Sequence, residues 1–150
     1  MVIKKLYLDP FLDMFNGEVL SYNISKNPSA SGILSAQKQA IEITSDCQYR
    51  RTFHSDRGWA YQMSAYSFAL KENKIFQSMS RKGNCYDNSV MENFFGHLKS
   101  ELLYLQEFDS VDHFKKELIE YIDYYNNRRI KARLKGLPPA LHRQQALLAA

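Results

Sequence analysis

HSDRG at residues 54–58 and SMSRKGNCYDNSVMENFFGHLKSEL at residues 78–102 decide the reading of this 150-residue chain. Between Asp56 and Glu92 lie residues 57–91, which are 35 positions. Asp56 follows a short β-branched and aromatic run, whereas Glu92 sits inside a helix-like pattern. The two carboxylates therefore meet only through tertiary folding. Such a pair suits hard, oxygen-seeking cations such as Mg²⁺ or Mn²⁺, which take carboxylate and water ligands and bridge phosphates. Asp56 and Glu92 are accordingly the candidate metal ligands and catalytic residues of a metal-dependent phosphoryl-transfer site. Taken singly, an Asp two residues before a Gly is more often a turn residue, and a helical Glu is more often a solvated one.

Working outward, Asp87 or Asn88 is expected to cap a helix that runs to about Leu103. Met91, Phe94, Phe95, Leu98 and Leu102 form its core stripe. Asn88, Glu92 and Lys99 stand at i, i+4 and i+11, so they share a flank beside that stripe. A carboxylate and a lysine two turns apart on one open flank suit a metal and a phosphate together. Ahead of this helix, Ser80–Tyr86 reads as a polar loop and Ile75–Met79 as a short strand. A helix over Ser64–Asn73 is expected to bury Tyr66, Phe68, Ala69 and Leu70. A strand near Arg51–His54 delivers Asp56, with Gly58 allowing a sharp backbone turn beside the carboxylate. His54 reads as a packed strand residue.

At the front, residues 4–14 and 18–25 are β-rich runs around Asn16-Gly17, a strong hairpin signal. Pro10 demands an edge or a bulge, having no N–H to give a ladder. Residues 30–44 read as a helix with Ile33, Leu34, Ala40 and Ile41 on one face and Ser29 or Ser31 as cap. Behind the 78–102 stretch, a long helix covers about Val111–Asn127, with Phe114, Leu118, Ile119, Ile122 and Tyr125 apolar. Tyr121, Tyr124 and Tyr125 read as packing residues. Pro139 is placed to open a last short helix. The order ββα, β, α, β, α, α indicates a mixed α/β layer fold.

The 45% apolar, 24% charged composition is that of an ordinary globular protein. No apolar run approaches the roughly 20 residues of a membrane span, and no signal-peptide pattern opens the chain. Cys47 and Cys85 stand far apart without a Cys/His cluster, which argues for a reduced, cytosolic setting and against zinc. The formal net charge is +4, a mild pointer to a polyanionic partner. Arg128, Arg129, Lys131, Arg133 and Lys135 place five cations in eight residues. A solvated face is the ordinary reading of such a run. Phosphate contact by all five would give a log–log salt slope of about −4.5.

HSDRGWAYQMSAY, SMSRKGNCYDNSVMENFFGHLKSEL and YIDYYNNRRIKARLKGLPPAL resemble the integrase-core region of insertion-sequence transposases in the retroviral-integrase superfamily. KKLYLDPFLDMFNGEVLSYNIS resembles the strand pair that begins that region. The resemblance implies an RNase H-like α/β fold: a mixed sheet with flanking helices, its first central strand missing here. It divides the chain into a catalytic core over 1–127 and a basic C-terminal extension over 128–150. It implies two divalent metals (Mg²⁺ or Mn²⁺) on two aspartates and a glutamate, and DNA strand cleavage followed by strand transfer. Asp56 matches the second aspartate and Glu92 the glutamate. Lys99 resembles the family's DNA-contacting lysine, and Arg81 and Lys82 match the basic residues of the loop before the catalytic helix. Asn126 and Arg129 match a YN..R signature, whereas Lys131 stands where a histidine is common.

No residue matches the family's first aspartate. Asp13 lies beside the hairpin turn and Asp9 on the neighbouring strand, and neither is expected to replace it. The resemblance thus implies a truncated core, inactive alone, acting on transposon ends and target DNA. It further implies a homo-oligomer or a mixed oligomer with full-length transposase, in the cytoplasm of a bacterium at the nucleoid. The alternative is a non-catalytic DNA-binding or dimerising module that modulates the full-length enzyme.

Overall fold

The computed structural model describes residues 5–81 and 89–149. Two compact units divide it: one contains Leu12–Val19 and Val90–Ala150, the other Tyr7–Phe11 and Leu20–Ser89.

The second unit is the α/β part. Strands β1 (Tyr7–Leu12) and β2 (Val19–Ser25) pair with each other, and β3 (Thr52–Ser55) pairs with β4 (Phe76–Met79). The β3–β4 ladder is parallel, with His54 opposite Ser78 and Ser55 opposite Met79. The expected single mixed sheet is thus two separate two-stranded ladders among the described residues. They are joined through side chains: the rings of Phe11 on β1 and Phe53 on β3 lie 6.1 Å apart. Pro10 is buried within β1, where a two-stranded ladder leaves every strand an edge.

Helices α1 (Ala30–Ile43) and α2 (Ser64–Glu72) cover these strands. The Ser29 hydroxyl accepts from the Gly32 N–H and caps α1, satisfying one of the four amides a helix start leaves open. Ile33, Ile41, Ala60, Tyr66, Leu70 and Ile75 form the core, each large apolar side chain contributing about 1.5–3 kcal/mol on burial. Gln37, only 1% exposed, is satisfied by donating from Nε2 to the Tyr66 carbonyl at 2.9 Å. Phe68, expected in this core, is instead 65% exposed. The helix's buried arc passes through Tyr66 and Leu70, a four-residue step that leaves position 68 half a turn away. Lys74, in the left-handed region at φ 57°, ends α2. The Ile75 N–H returns to the Leu70 carbonyl (2.9 Å) and the Lys74 N–H to the Lys71 carbonyl (3.1 Å), a Schellman ending in which lysine holds the place usually given to glycine.

The first unit is helical. Helix α3 (Ser89–Leu98) continues as a π-helical turn over Lys99–Leu103, and α4 spans Val111–Asn127. A short 3-10 turn at Ala132–Leu134 precedes α5 (Pro139–Ala149). Phe94, Leu98, Leu102, Leu118, Tyr121, Ile122 and Tyr125 are buried, and Phe94 meets Tyr125 edge-on at 5.1 Å. Ile119, next to buried Leu118, is 41% exposed on the outer side of α4. The Asn126 amide accepts from the Val19 N–H (2.8 Å) and donates to the Val19 carbonyl (2.9 Å), imitating one residue of a partner strand. The hairpin connection is longer than a two-residue turn. Asp13 Oδ1 accepts from the Phe15 amide, the Gly17 N–H reaches the Asp13 carbonyl at 2.7 Å, and Gly17 has φ +81°.

Candidate functional site

Asp56 is the first residue beyond β3, and its surroundings are tightly specified. The His54 ring bridges two hydroxyls, with Nδ1 2.9 Å from Ser78 Oγ and Nε2 3.1 Å from Ser80 Oγ. The Ser80 N–H donates to the Ser55 carbonyl at 2.8 Å, and Arg57 Nε donates to the Ser80 carbonyl at 3.0 Å. These bonds fix the ends of both parallel strands. Asp56 Oδ1 accepts from the Gly58 N–H at 2.7 Å, and the carboxylate is exposed. The need for Gly58 is one of space and not of dihedral freedom. Its φ of −57° is open to any residue, but an added Cβ would sit 2.9 Å from Asp56 Oδ1 and 3.3 Å from the Tyr61 ring.

Asp13 is committed to its turn. It also lies 3.5 Å from Arg143 Nε. Asp9 is partly buried, and that burial raises its pKa against the lowering effect of a hydrogen bond with the Asn23 side chain. Burial pushes the Tyr61 phenol up to about 12, with the charges of Asp9 and Asp56 adding to the rise.

Glu92 lies in the helical unit, exposed on α3, while Phe94 and Leu98 turn inward. It has no hydrogen-bond or ion-pair partner among the described residues. Lys99 is exposed at the first residue of the π-helical turn. Arg81 is exposed directly after Ser80. Lys82, Cys85 and the expected caps Asp87 and Asn88 lie outside the described residues.

The basic segment divides into inward and outward cations. Arg128 and Arg133 are exposed, Arg128 with its guanidinium 5.6 Å from the Tyr124 ring centroid. Lys135 is exposed and left-handed at φ 59°. Arg129, expected on DNA, grips Glu101: Nε lies 2.9 and 3.0 Å from the two carboxylate oxygens and Nη2 lies 2.6 Å from Oε1. The Tyr121 hydroxyl donates to Glu101 Oε2 at 2.6 Å, and His97 Nδ1 lies 3.3 Å from Arg129 Nη2. Burial works to raise the Glu101 pKa, but the hydrogen bonds of Arg129 and Tyr121 and the charge of Arg129 outweigh it, leaving it lowered. Burial and the Arg129 charge lower that of His97. Lys131 lies over the Tyr125 ring at 4.5 Å and donates to its hydroxyl. Burial, then the charges of Arg129 and Arg133, bring its pKa to about 8. A Cβ on Gly17 would meet Lys131 Nζ at 3.1 Å. Glu101 is the residue that sequence reasoning missed. Its one signal was an acid beside the core residue Leu102 on a helix whose flank otherwise carries Lys99.

Asp56 and Glu92 both offer exposed carboxylate oxygens, the donor type that suits Mg²⁺ or Mn²⁺. Among the described residues, no three His, Cys, Asp or Glu side chains gather as a metal-holding group. No helix of the described residues is long and apolar enough to cross a membrane.

Parallel strands ending at an exposed aspartate, with helices packed beside them, define the fold class as RNase H-like α/β. Two family models, each described as "Integrase core domain", match residues 2–85 and 92–147. The chain belongs to the integrase core family. It is similar to an Escherichia coli protein named "Putative transposase InsK for insertion sequence element IS150", 48% identical over 97% of this chain and 51% of that one. A Haemophilus influenzae "Uncharacterized transposase-like protein" is 46% identical over 95% of this chain and 65% of its own. The chain thus spans about half to two-thirds of the length of these relatives. Among solved structures, the HTLV-2 integrase catalytic core domain in complex with magnesium, in a dimeric form, is 18% identical with a TM-score of 0.61. The match covers 91% of this chain and 83% of that one. The fold is that of a retroviral integrase core.

Proposed function

We propose that the chain is the DNA-directed core of a transposase, with Asp56 and Glu92 as carboxylate ligands of Mg²⁺ or Mn²⁺. The observation that carries this reading is the Asp56 turn: an exposed carboxylate held by its own Gly58 amide at the end of a parallel strand. Membership of the integrase core family supports it, as does the magnesium named for the HTLV-2 core. When bound, the ion supplies charge to scissile-phosphate oxygens and lowers the pKa of an attacking hydroxyl or water. The protein's own part is to fix the Asp56 carboxylate through Gly58, to present Glu92 clear of the buried stripe of α3, and to hold DNA by its phosphates. Arg81, Lys82, Lys99, Arg128 and Arg133 take that last role, with Lys135. Arg129 and Lys131 shape the segment from within.

The 150 residues carry two carboxylates of the motif, so in isolation they are expected to bind metal weakly and to leave DNA uncut. The relatives' names and the dimeric HTLV-2 core favour transposon DNA and a second copy of the chain as partners. The test is Mn²⁺ titration by calorimetry in the presence of duplex DNA. Binding that is lost in both Asp56→Asn and Glu92→Gln supports the reading, and metal binding indifferent to both refutes it.

A further inference from the structure

Trp59 is the chain's single tryptophan, and the residue is 57% exposed. One exposed apolar residue is ordinary, but this one is held out by a braced turn. The 3-10 turn Trp59–Gln62 starts directly after Gly58. The Tyr61 N–H donates to the Gly58 carbonyl (3.1 Å), and Gln77 Nε2 donates to the Tyr61 carbonyl at 2.8 Å. Gln62 Nε2 donates to the Arg57 carbonyl. Ala60, 2% exposed, pins the turn into the core. Four anchors thus fix the backbone on both sides of an indole that has no ring, cation or hydrogen-bond partner among the described residues.

The neighbourhood selects the occupant. Trp59 is three residues from the Asp56 carboxylate, and Arg57 and Arg81 are both exposed, Arg57 being tied to Ser80, the residue before Arg81. A flat aromatic face with exposed cations close in the chain matches a nucleotide better than a protein surface. Single strands are held by this combination of base stacking and phosphate contact. Inside a duplex both faces of each base are covered by its neighbours, so only an unpaired base can stack here. We infer that Trp59 is a stacking platform for an unpaired nucleobase of the DNA strand whose phosphates meet Arg57 and Arg81. This rests on the DNA-directed reading above and adds to it a single-strand site beside Asp56.

The lone indole reports its own occupancy. The full chain is titrated with fluorescein-labelled oligothymidylate, an abasic strand of the same length, and a duplex closed at both ends by hairpins. Binding is read by fluorescein anisotropy and stacking by indole emission. The platform predicts that oligothymidylate quenches the indole and the abasic strand does not. It also predicts that Trp59→Ala weakens oligothymidylate binding about tenfold, that Trp59→Phe retains most of it, and that both leave closed-duplex binding unchanged. Anisotropy showing strand binding with no indole quenching, or equal affinity in Trp59→Ala, overturns the platform and leaves the DNA-directed reading intact. Absence of any binding to all three probes overturns both.

Discussion

Replacing Arg129 by alanine strands the Glu101 carboxylate among groups arranged for a charged partner. Arg129 and Glu101 side chains are 17% and 31% exposed, with three N–O contacts between 2.6 and 3.0 Å. Breaking a fully buried pair costs about 3–5 kcal/mol, whereas an exposed pair contributes about 0.2–1 kcal/mol. The partial exposure sets Arg129→Ala between them, at about 2 kcal/mol, or about 4–8 °C in Tm for a chain of this size. The loss depends on pH with a definite sign. In the native chain the Glu101 pKa is lowered from 4.5, so its contribution is present above the unfolded value and is lost as pH falls through the folded one. In Arg129→Ala the burial that raises the pKa is opposed only by Tyr121 and His97. The gap between the two proteins should therefore be full at pH 7 and narrow below about pH 4.5. His97 adds an earlier acid limb to the native curve. Its pKa is lowered from 6.5, so the unfolded state takes up the proton first and stability begins to fall below about that pH. The assay is urea denaturation at pH 7.5, 5.5 and 3.5 for native chain, Arg129→Ala, Glu101→Gln and the double variant. A coupling of about 1–3 kcal/mol at pH 7.5 is expected. A loss of the same size at pH 3.5, or additive single variants, would refute the assignment of Arg129 to the fold.

Asn126→Ala removes both bonds to Val19, and its expected cost is about 1–3 kcal/mol in denaturant melts; Asn126→Asp, which cannot donate to the carbonyl, should cost as much. Lys74→Gly relieves a left-handed lysine at φ 57° and should raise stability by about 0.5–1 kcal/mol in the same measurement. Substituting Arg128, Arg133 and Lys135 together by glutamine should leave Tm within about 2 °C. In duplex-DNA binding followed from 50 to 200 mM salt it should make the log–log slope shallower by about 2.7; an unchanged slope would place phosphate contact elsewhere.

The legible parts of the fold are those set by local chemistry. α1 and α4 lie where apolar spacing places them, because each carries a serine cap and a long run of one period. The parallel pairing of β3 with β4 was not legible, since short strands carry no partner information. Phe68 was misplaced because it lies between Tyr66 and Leu70 in sequence but off their buried arc in space. Spacing singled out Asp56 and Glu92 as candidates, while the grip of Arg129 on Glu101 spans 28 residues and exists only after α3 and α4 pack.

That packing sorts chemically similar residues into different work. Within YNNRRIKARLK, a count of cations treats Arg128 and Arg129 alike, yet one stands over a half-exposed Tyr124 ring and the other closes on a carboxylate. The distinction is electrostatic. An inward cation persists only where an acid or a ring face offsets its desolvation, and Glu101 and Tyr125 provide those for Arg129 and Lys131. Neutralising Arg129 internally confines the field available to a phosphate backbone to the outward cations. Salt dependence and thermal stability should therefore respond to separate subsets of one basic run, and a variant that moved both together would break the division.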